Sequence, residues 1–189
     1  MTKRLTLLFM AAILGTCGLY AQSGEPHFSF KYFLRLMNFG AKGQSLDAYK
    51  KYAAGQGLTL IHHEEETSEI YMVWADQLTY KTGHMSESYT KTGDRPRCIN
   101  VDLTVNGKDK YTPITVTLVF PDKEAQQRFR KEGMNLGCIV NDKIEDSDID
   151  VTWENVSGIK YIIDAKRLTS WRFIYFYEKD GMYMSTFLF

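Results

Sequence analysis

The sequence predicts an α+β protein: a mainly antiparallel sheet, curved or split in two, with two helices packed on one face. Three observations lead there. Most apolar runs alternate with polar residues at a period of two, the pattern of half-buried strands. Only two segments carry helix formers between capping residues. Most connections are short turns, which join antiparallel neighbours rather than βαβ crossovers. A doubly wound nucleotide-binding fold would need more helices.

The elements follow in order. Phe28, Phe30, Tyr32, Leu34 and Leu36 alternate with Ser29, Lys31 and Arg35, which predicts an opening strand from Phe28 to Leu36. Gly40-Ala41-Lys42-Gly43 breaks it. Ser45 is then placed as an N-cap and Asp47 sits in the first turn of a helix over Leu46 to Ala54, ended by Gly55 and Gly57. Leu58 to His62 and Glu69 to Ala75 read as strands joined by the acidic turn Glu64-Glu65-Glu66-Thr67-Ser68. Asp76 to Arg97 is polar and weakly patterned, a loop or loose hairpin. Ile99, Val101, Leu103 and Val105 alternate again, Asn106-Gly107 is a hairpin turn, and Ile114 to Phe120 returns.

Pro121-Asp122 opens the second helix, which runs to about Glu132 with Gly133 as its stop. Strands are expected near Leu136 to Asn141, Ile149 to Trp153, Gly158 to Asp164, Trp171 to Glu178 and Met182 to Leu188. The order strand, helix, strand, strand occurs from Phe28 and again from Ile114. That order suggests a degenerate tandem βαββ repeat with halves at 28–105 and 112–189, although the two helix starts share little sequence.

The N-terminus carries the address. Lys3-Arg4 precedes the apolar run Leu5 to Leu14, and Ala21 is a small residue suited to the position before a cut. A basic head, an apolar stretch too short to span a bilayer and a small residue at the cut are the parts of a secretory signal peptide over residues 1–21. The expected mature chain, 22–189, is a single domain, periplasmic or secreted. Leu14-Gly15-Thr16-Cys17 supplies the rival reading, a lipoprotein anchored through Cys17, with Thr16 a poor fit before the lipidated residue. Cleavage after Ala21 removes two basic residues and no acid, leaving 21 basic against 23 acidic side chains. So small a net charge recruits neither nucleic acid nor an acidic membrane surface. No later apolar run approaches the roughly 20 residues of a transmembrane helix.

Two cysteines, Cys98 and Cys138, survive processing. In an oxidising compartment they form a candidate disulfide closing a loop of about forty residues, worth roughly 3–4 kcal/mol in the chain-entropy model. Two unconnected buried thiols are the equal alternative.

Candidate chemistry is sparse. His62-His63-Glu64-Glu65-Glu66 holds the metal-ligand types, with His62, His63 and Glu65 as weak metal candidates, but consecutive residues on a strand point to opposite faces. Asp146, Asp148 and Asp150 alternate like the start of a calcium loop, yet Val151 and Ser157 stand where its glycine and bidentate acid belong. No nucleophile elbow, phosphate loop, dinucleotide fingerprint or Cys-x-x-Cys occurs. Trp171 to Phe189 is dense in aromatic residues. Burial of a central strand on both faces accounts for it, and an exposed surface formed by Trp171, Phe173, Tyr175 and Tyr177 for a peptide, glycan or partner protein is the functional alternative.

The reading that results is an exported, non-enzymatic binding or interaction domain of the bacterial envelope or exterior, with no cofactor and an unknown protein, peptide or glycan as partner. A small hydrolase or metal-dependent enzyme using the His62/His63 region is the alternative.

Overall fold

A computed structural model describes residues 28–37, 43–83, 86–141, 144, 150, 152–162 and 171–188. The expected export segment, Cys17, Asp146, Asp148, Ile149 and Val151 lie outside these residues, as does the side chain of Trp171. Asp150, Thr152 and Trp153 are not in a strand as expected: the Trp153 N–H donates to the Asp150 carbonyl at 2.9 Å, closing a turn.

The chain opens as a helix, α1 (Phe30–Met37), where a strand was expected. The alternation left out Phe33, and Phe30, Phe33 and Leu34 stand at helical spacing as well. Packing decides between the two periods. Phe30 lies 4.9 Å, centroid to centroid, from Phe129, and Phe33 lies 4.1 Å from Phe187. The first backbone N–H of α1 donates to Glu132 Oε2 at 2.7 Å, which gives an otherwise unpartnered helix terminus an anionic acceptor.

Helix α2 (Leu46–Gly55) follows as expected, with Ser45 at its N-cap position but making no side-chain capping bond. The remaining elements are β1 (Thr59–Glu65), β2 (Glu69–Asp76), β3 (Leu78–Gly83), β4 (Ser86–Lys91), β5 (Arg97–Val105), β6 (Tyr111–Phe120), α3 (Lys123–Asn135), β7 (Ile139–Val140), β8 (Glu154–Ile162), β9 (Trp171–Lys179) and β10 (Met182–Leu188). Three helices are therefore described rather than two. The segment expected as a loop or loose hairpin is a regular one, β3 paired with β4. Asp122 caps α3 by accepting the Ala125 N–H at 2.8 Å. Gly133 does not stop that helix. A Cβ there would sit 2.8 Å from the Phe30 ring and 2.9 Å from Ile159 Cδ1, so the glycine serves the close approach of α1 and β8.

Eight strands form one sheet in the order β1-β2-β5-β6-β10-β9-β8-β7, open at β1 and β7, with every pairing antiparallel. The chain enters at one edge after α2 and meanders inward to β6. It then crosses on α3 to the other edge and meanders back to β10, where the two halves meet. The order strand, helix, strand, strand survives only in the second half, since the first begins with a helix. What repeats instead is one helix followed by four strands of the main sheet.

Strand alternation divides the core into two faces. Phe30, Phe33, Tyr49, Ala53, Ala125 and Phe129 of the helices share one apolar cluster with Met72, Val101, Leu118, Phe176 and Phe187. The intervening residues Val73, Cys98, Val119, Tyr175, Tyr177 and Met184 form a second cluster, joined by Leu78, Tyr80 and Tyr89 of the β3–β4 hairpin. Strand β9 is buried on both faces, as its aromatic density implies. No described helix is long and apolar enough to cross a membrane.

Cys98 and Cys138 are both free and buried, the second of the two readings, and the candidate disulfide is not formed. Their thiols belong to different clusters, one on each face of the sheet, and the sheet itself separates them. Burial pushes the Cys98 thiol far up, with the Glu87 charge adding to it, and pushes Cys138 up to about 11. Both therefore lack thiolate at neutral pH. Iodoacetamide at pH 8 is expected to leave the folded mature chain unlabelled over an hour and to add two labels in denaturant without reductant. A denatured chain that stays unlabelled until reduced would restore the disulfide.

Candidate functional site

The second face of the sheet carries polar groups among its apolar ones. Asn100 stands on β5, Thr117 on β6 and Thr186 on β10, in direct cross-strand register with one another (Asn100 with Thr117, Thr117 with Thr186). Asn100 and Thr186 are buried. Buried polar side chains on central strands require partners; Thr117 and Thr186 supply them to each other, while Asn100 bonds to Tyr71 and Tyr89. Thr117 Oγ1 and Thr186 Oγ1 lie 3.1 Å apart, and Thr186 Oγ1 lies 2.8 Å from the Tyr177 hydroxyl.

The hairpin brings the second half of the network. The Tyr80 hydroxyl donates to the Tyr71 hydroxyl at 2.8 Å, which donates to Glu87 Oε1 at 2.7 Å. The Asn100 amide donates to the Tyr71 hydroxyl, to the Tyr89 hydroxyl at 2.6 Å and, more weakly, to Glu87 Oε2 at 3.4 Å. Lys91 at the hairpin's end donates to the Gly181 carbonyl in the β9–β10 turn, latching the hairpin against the opposite half. Burial pushes Tyr80 up to about 12 and raises Tyr71, Tyr89 and Tyr177 well above the ordinary phenol value. All four stay neutral hydroxyl donors at neutral pH.

Between hairpin and sheet lies a cavity of about 340 Å³, lined by Glu87, Tyr89, Thr117, Asp150, Trp153, Tyr177, Lys179, Met184 and Thr186. Its far wall is built by the turn before β8. Asp150 Oδ1 accepts from the Thr152 N–H at 2.9 Å and its hydroxyl at 2.8 Å, and Lys179 reaches Oδ2 at 3.4 Å. The two Thr152 bonds, with Lys179 adding to them, hold the Asp150 carboxyl below the usual carboxylate range. That turn sets Trp153 flat on Tyr177, with centroids 3.8 Å apart and planes within 4°.

The residues singled out from sequence are distributed unevenly about this cavity. Tyr177 lines it, Tyr175 is buried and Phe173 is half-buried, so these three do not form an open aromatic platform. His62 and His63 lie on the edge strand β1 and pair with Glu64 at 3.6 Å and Glu65 at 3.9 Å, each with the residue two along, as strand alternation requires. The His62 ring packs against Tyr80 at 5.2 Å and Tyr71 at 5.7 Å, and neither histidine reaches the cavity. Among the described residues no three His, Cys, Asp or Glu side chains are grouped as a metal site. Sequence reasoning missed Glu87, Tyr89, Asn100, Thr117, Trp153, Lys179 and Thr186. The alternation of Leu78 with Tyr80 in the polar segment was the available signal for its hairpin.

No protein-family model, curated protein or solved structure matches the chain.

Proposed function

We propose that this protein is an exported, non-enzymatic binding domain of the bacterial envelope or exterior that takes a small polar ligand in the cavity between the β3–β4 hairpin and the sheet. The observation that carries the reading is the cavity itself. At about 340 Å³ it falls near the lower end of small-molecule sites, which span ~300–1,000 Å³. Its polar groups, all on strands except Asp150 in the turn before β8, are fixed by hydrogen bonds within the protein, the preorganisation that selective binding needs. The pattern of residues 1–21 supports export. The hydrolase alternative through His62 and His63 loses ground because both lie away from the cavity.

Two measurements test this. An intact mass of the protein recovered from its own cell envelope is expected to begin at Gln22. A start at Cys17 with an added lipid would replace free export by anchoring. Amide chemical shifts of the mature chain, recorded against a library of small polar fragments, are expected to move at Thr117, Trp153, Lys179 and Thr186. Hits that cluster elsewhere, or a library without hits, would remove the cavity as the binding site.

A further inference from the structure

We infer that the ligand of this cavity is a small organic cation, an ammonium group carried close to a hydroxyl. The inference rests on the cavity being the binding site and adds the chemistry it selects.

The lining holds three charged side chains, Glu87, Asp150 and Lys179. Asp150 and Lys179 face each other at 3.4 Å, and Thr152 binds Asp150 further, so these two largely cancel. Glu87 is the remainder. Among the described residues no cation pairs with it, and its oxygens accept only from the neutral donors Tyr71 and Asn100. Its negative field is felt through the site, where it contributes to raising Tyr71, Tyr80, Tyr89 and Tyr177. A ligand that covers Glu87 takes away part of its water, and a positive group compensates a carboxylate more fully than a neutral donor does. An anion would meet two carboxylates against one lysine already engaged.

The aromatic side chains act in the same direction. Tyr89, Trp153 and Tyr177 line the cavity, and aromatic rings attract ammonium groups through their quadrupoles. Stacking fixes Trp153 and Tyr177 against each other, and Tyr89 packs on Tyr80, which limits the ordering that binding demands.

A hydroxyl on the ligand follows from proton counting. Tyr177, Thr186 and Thr117 are three hydroxyls joined by two hydrogen bonds, so two of their three protons are used and one remains, together with free lone pairs. Tyr89 accepts from Asn100, which leaves its own proton for a ligand oxygen. An amino alcohol places an ammonium at Glu87 and an oxygen at this row.

The test is calorimetric titration of the mature chain with choline, ethanolamine and Nα-acetyl-lysine amide, each against 3,3-dimethylbutanol, the neutral carbon isostere of choline. At least one cation is expected to bind ten-fold or more tightly than the isostere. Tightest binding by ethanolamine or choline is expected and assigns an amino alcohol, whereas tightest binding by the lysine amide, which has no hydroxyl, overturns the hydroxyl requirement. Glu87→Gln keeps acceptor and shape towards Tyr71 and is expected to weaken the cation at least five-fold without affecting the isostere. Lys179→Met, which leaves Asp150 uncompensated, is expected to tighten the cation and serves if Glu87→Gln fails to fold. Equal binding of cation and isostere, or affinity indifferent to both substitutions, overturns the cation while amide shifts in the cavity keep the binding site. Absence of cavity shifts with every fragment removes the site as well.

Discussion

Phe129→Ala is expected to cost about 3–5 kcal/mol of unfolding free energy, the range for removing a fully buried phenylalanine. The ring has no exposed surface and stands among four others, Phe30 at 4.9 Å, Phe120 at 5.3 Å, Phe33 at 5.8 Å and Phe187 at 6.0 Å. These neighbours come from α1, β6 and β10, so its loss opens a cavity where helices and sheet meet. The walls cannot collapse inward without moving whole elements, which keeps the cavity term large. Single domains hold only about 5–15 kcal/mol in total, so the variant approaches the limit of folding. Equilibrium urea unfolding measures it, with Phe129→Leu as a milder companion expected to cost under half as much. A loss below 1 kcal/mol for the alanine variant would mean that α1 and α3 do not pack as described.

The second large effect is expected at Gln126. This buried side chain projects from α3 and its amide donates to two strand carbonyls, Tyr177 at 3.1 Å and Met184 at 2.7 Å. Gln126→Leu keeps volume and helix propensity but leaves both acceptors without that donor, at ~1–3 kcal/mol for each unsatisfied buried group. The expected total is about 2–4 kcal/mol, with the gain in apolar burial pulling towards the lower end. The same substitution at exposed Gln127 is expected to stay within about 0.5 kcal/mol. Equal stability of the two variants would show that the amide contributes nothing across the helix–sheet contact. Because Tyr177 and Met184 both line the cavity, Gln126 also links the helical face to the opposite one.

The parts of the fold legible in the sequence are those whose causes are local. Alternation in Ile99 to Val105 and Ile114 to Phe120, with Asn106-Gly107 between them, specifies the β5–β6 hairpin, and Gly107 adopts φ +90° in the turn. Asp122 specifies the start of α3 through one short-range bond. Aromatic residues on both sides of β9 imply burial on both faces, which the strand has. The opening segment fails this treatment because its residues satisfy two periods at once. Phe33 breaks the alternation of its neighbours yet completes a helical stripe with Phe30 and Leu34, and only the rings of Phe129 and Phe187 choose between them.

The candidate site was less legible for the same reason. Glu87, Asn100, Thr117, Trp153 and Thr186 are ordinary polar or aromatic residues in sequence, spread over about a hundred positions. They gain meaning through strand order, which sets β6 beside β10 and folds the β3–β4 hairpin over that seam. His62 and His63 showed the opposite behaviour. Adjacent in sequence and rich in ligand chemistry, they are held apart by alternation on an edge strand.

The sequence by itself determined the α+β class, the central hairpin, the two later helices and the double burial of β9, because propensity, capping and periodicity act over ten residues or fewer. Tertiary structure alone decided that the first segment is helical, that Cys98 and Cys138 face opposite sides of the sheet, and that two carboxylates, a lysine, three aromatic residues and a row of hydroxyls surround a common space. Those outcomes depend on which strands become neighbours, and that choice is made by the burial of whole faces rather than by any local run of residues.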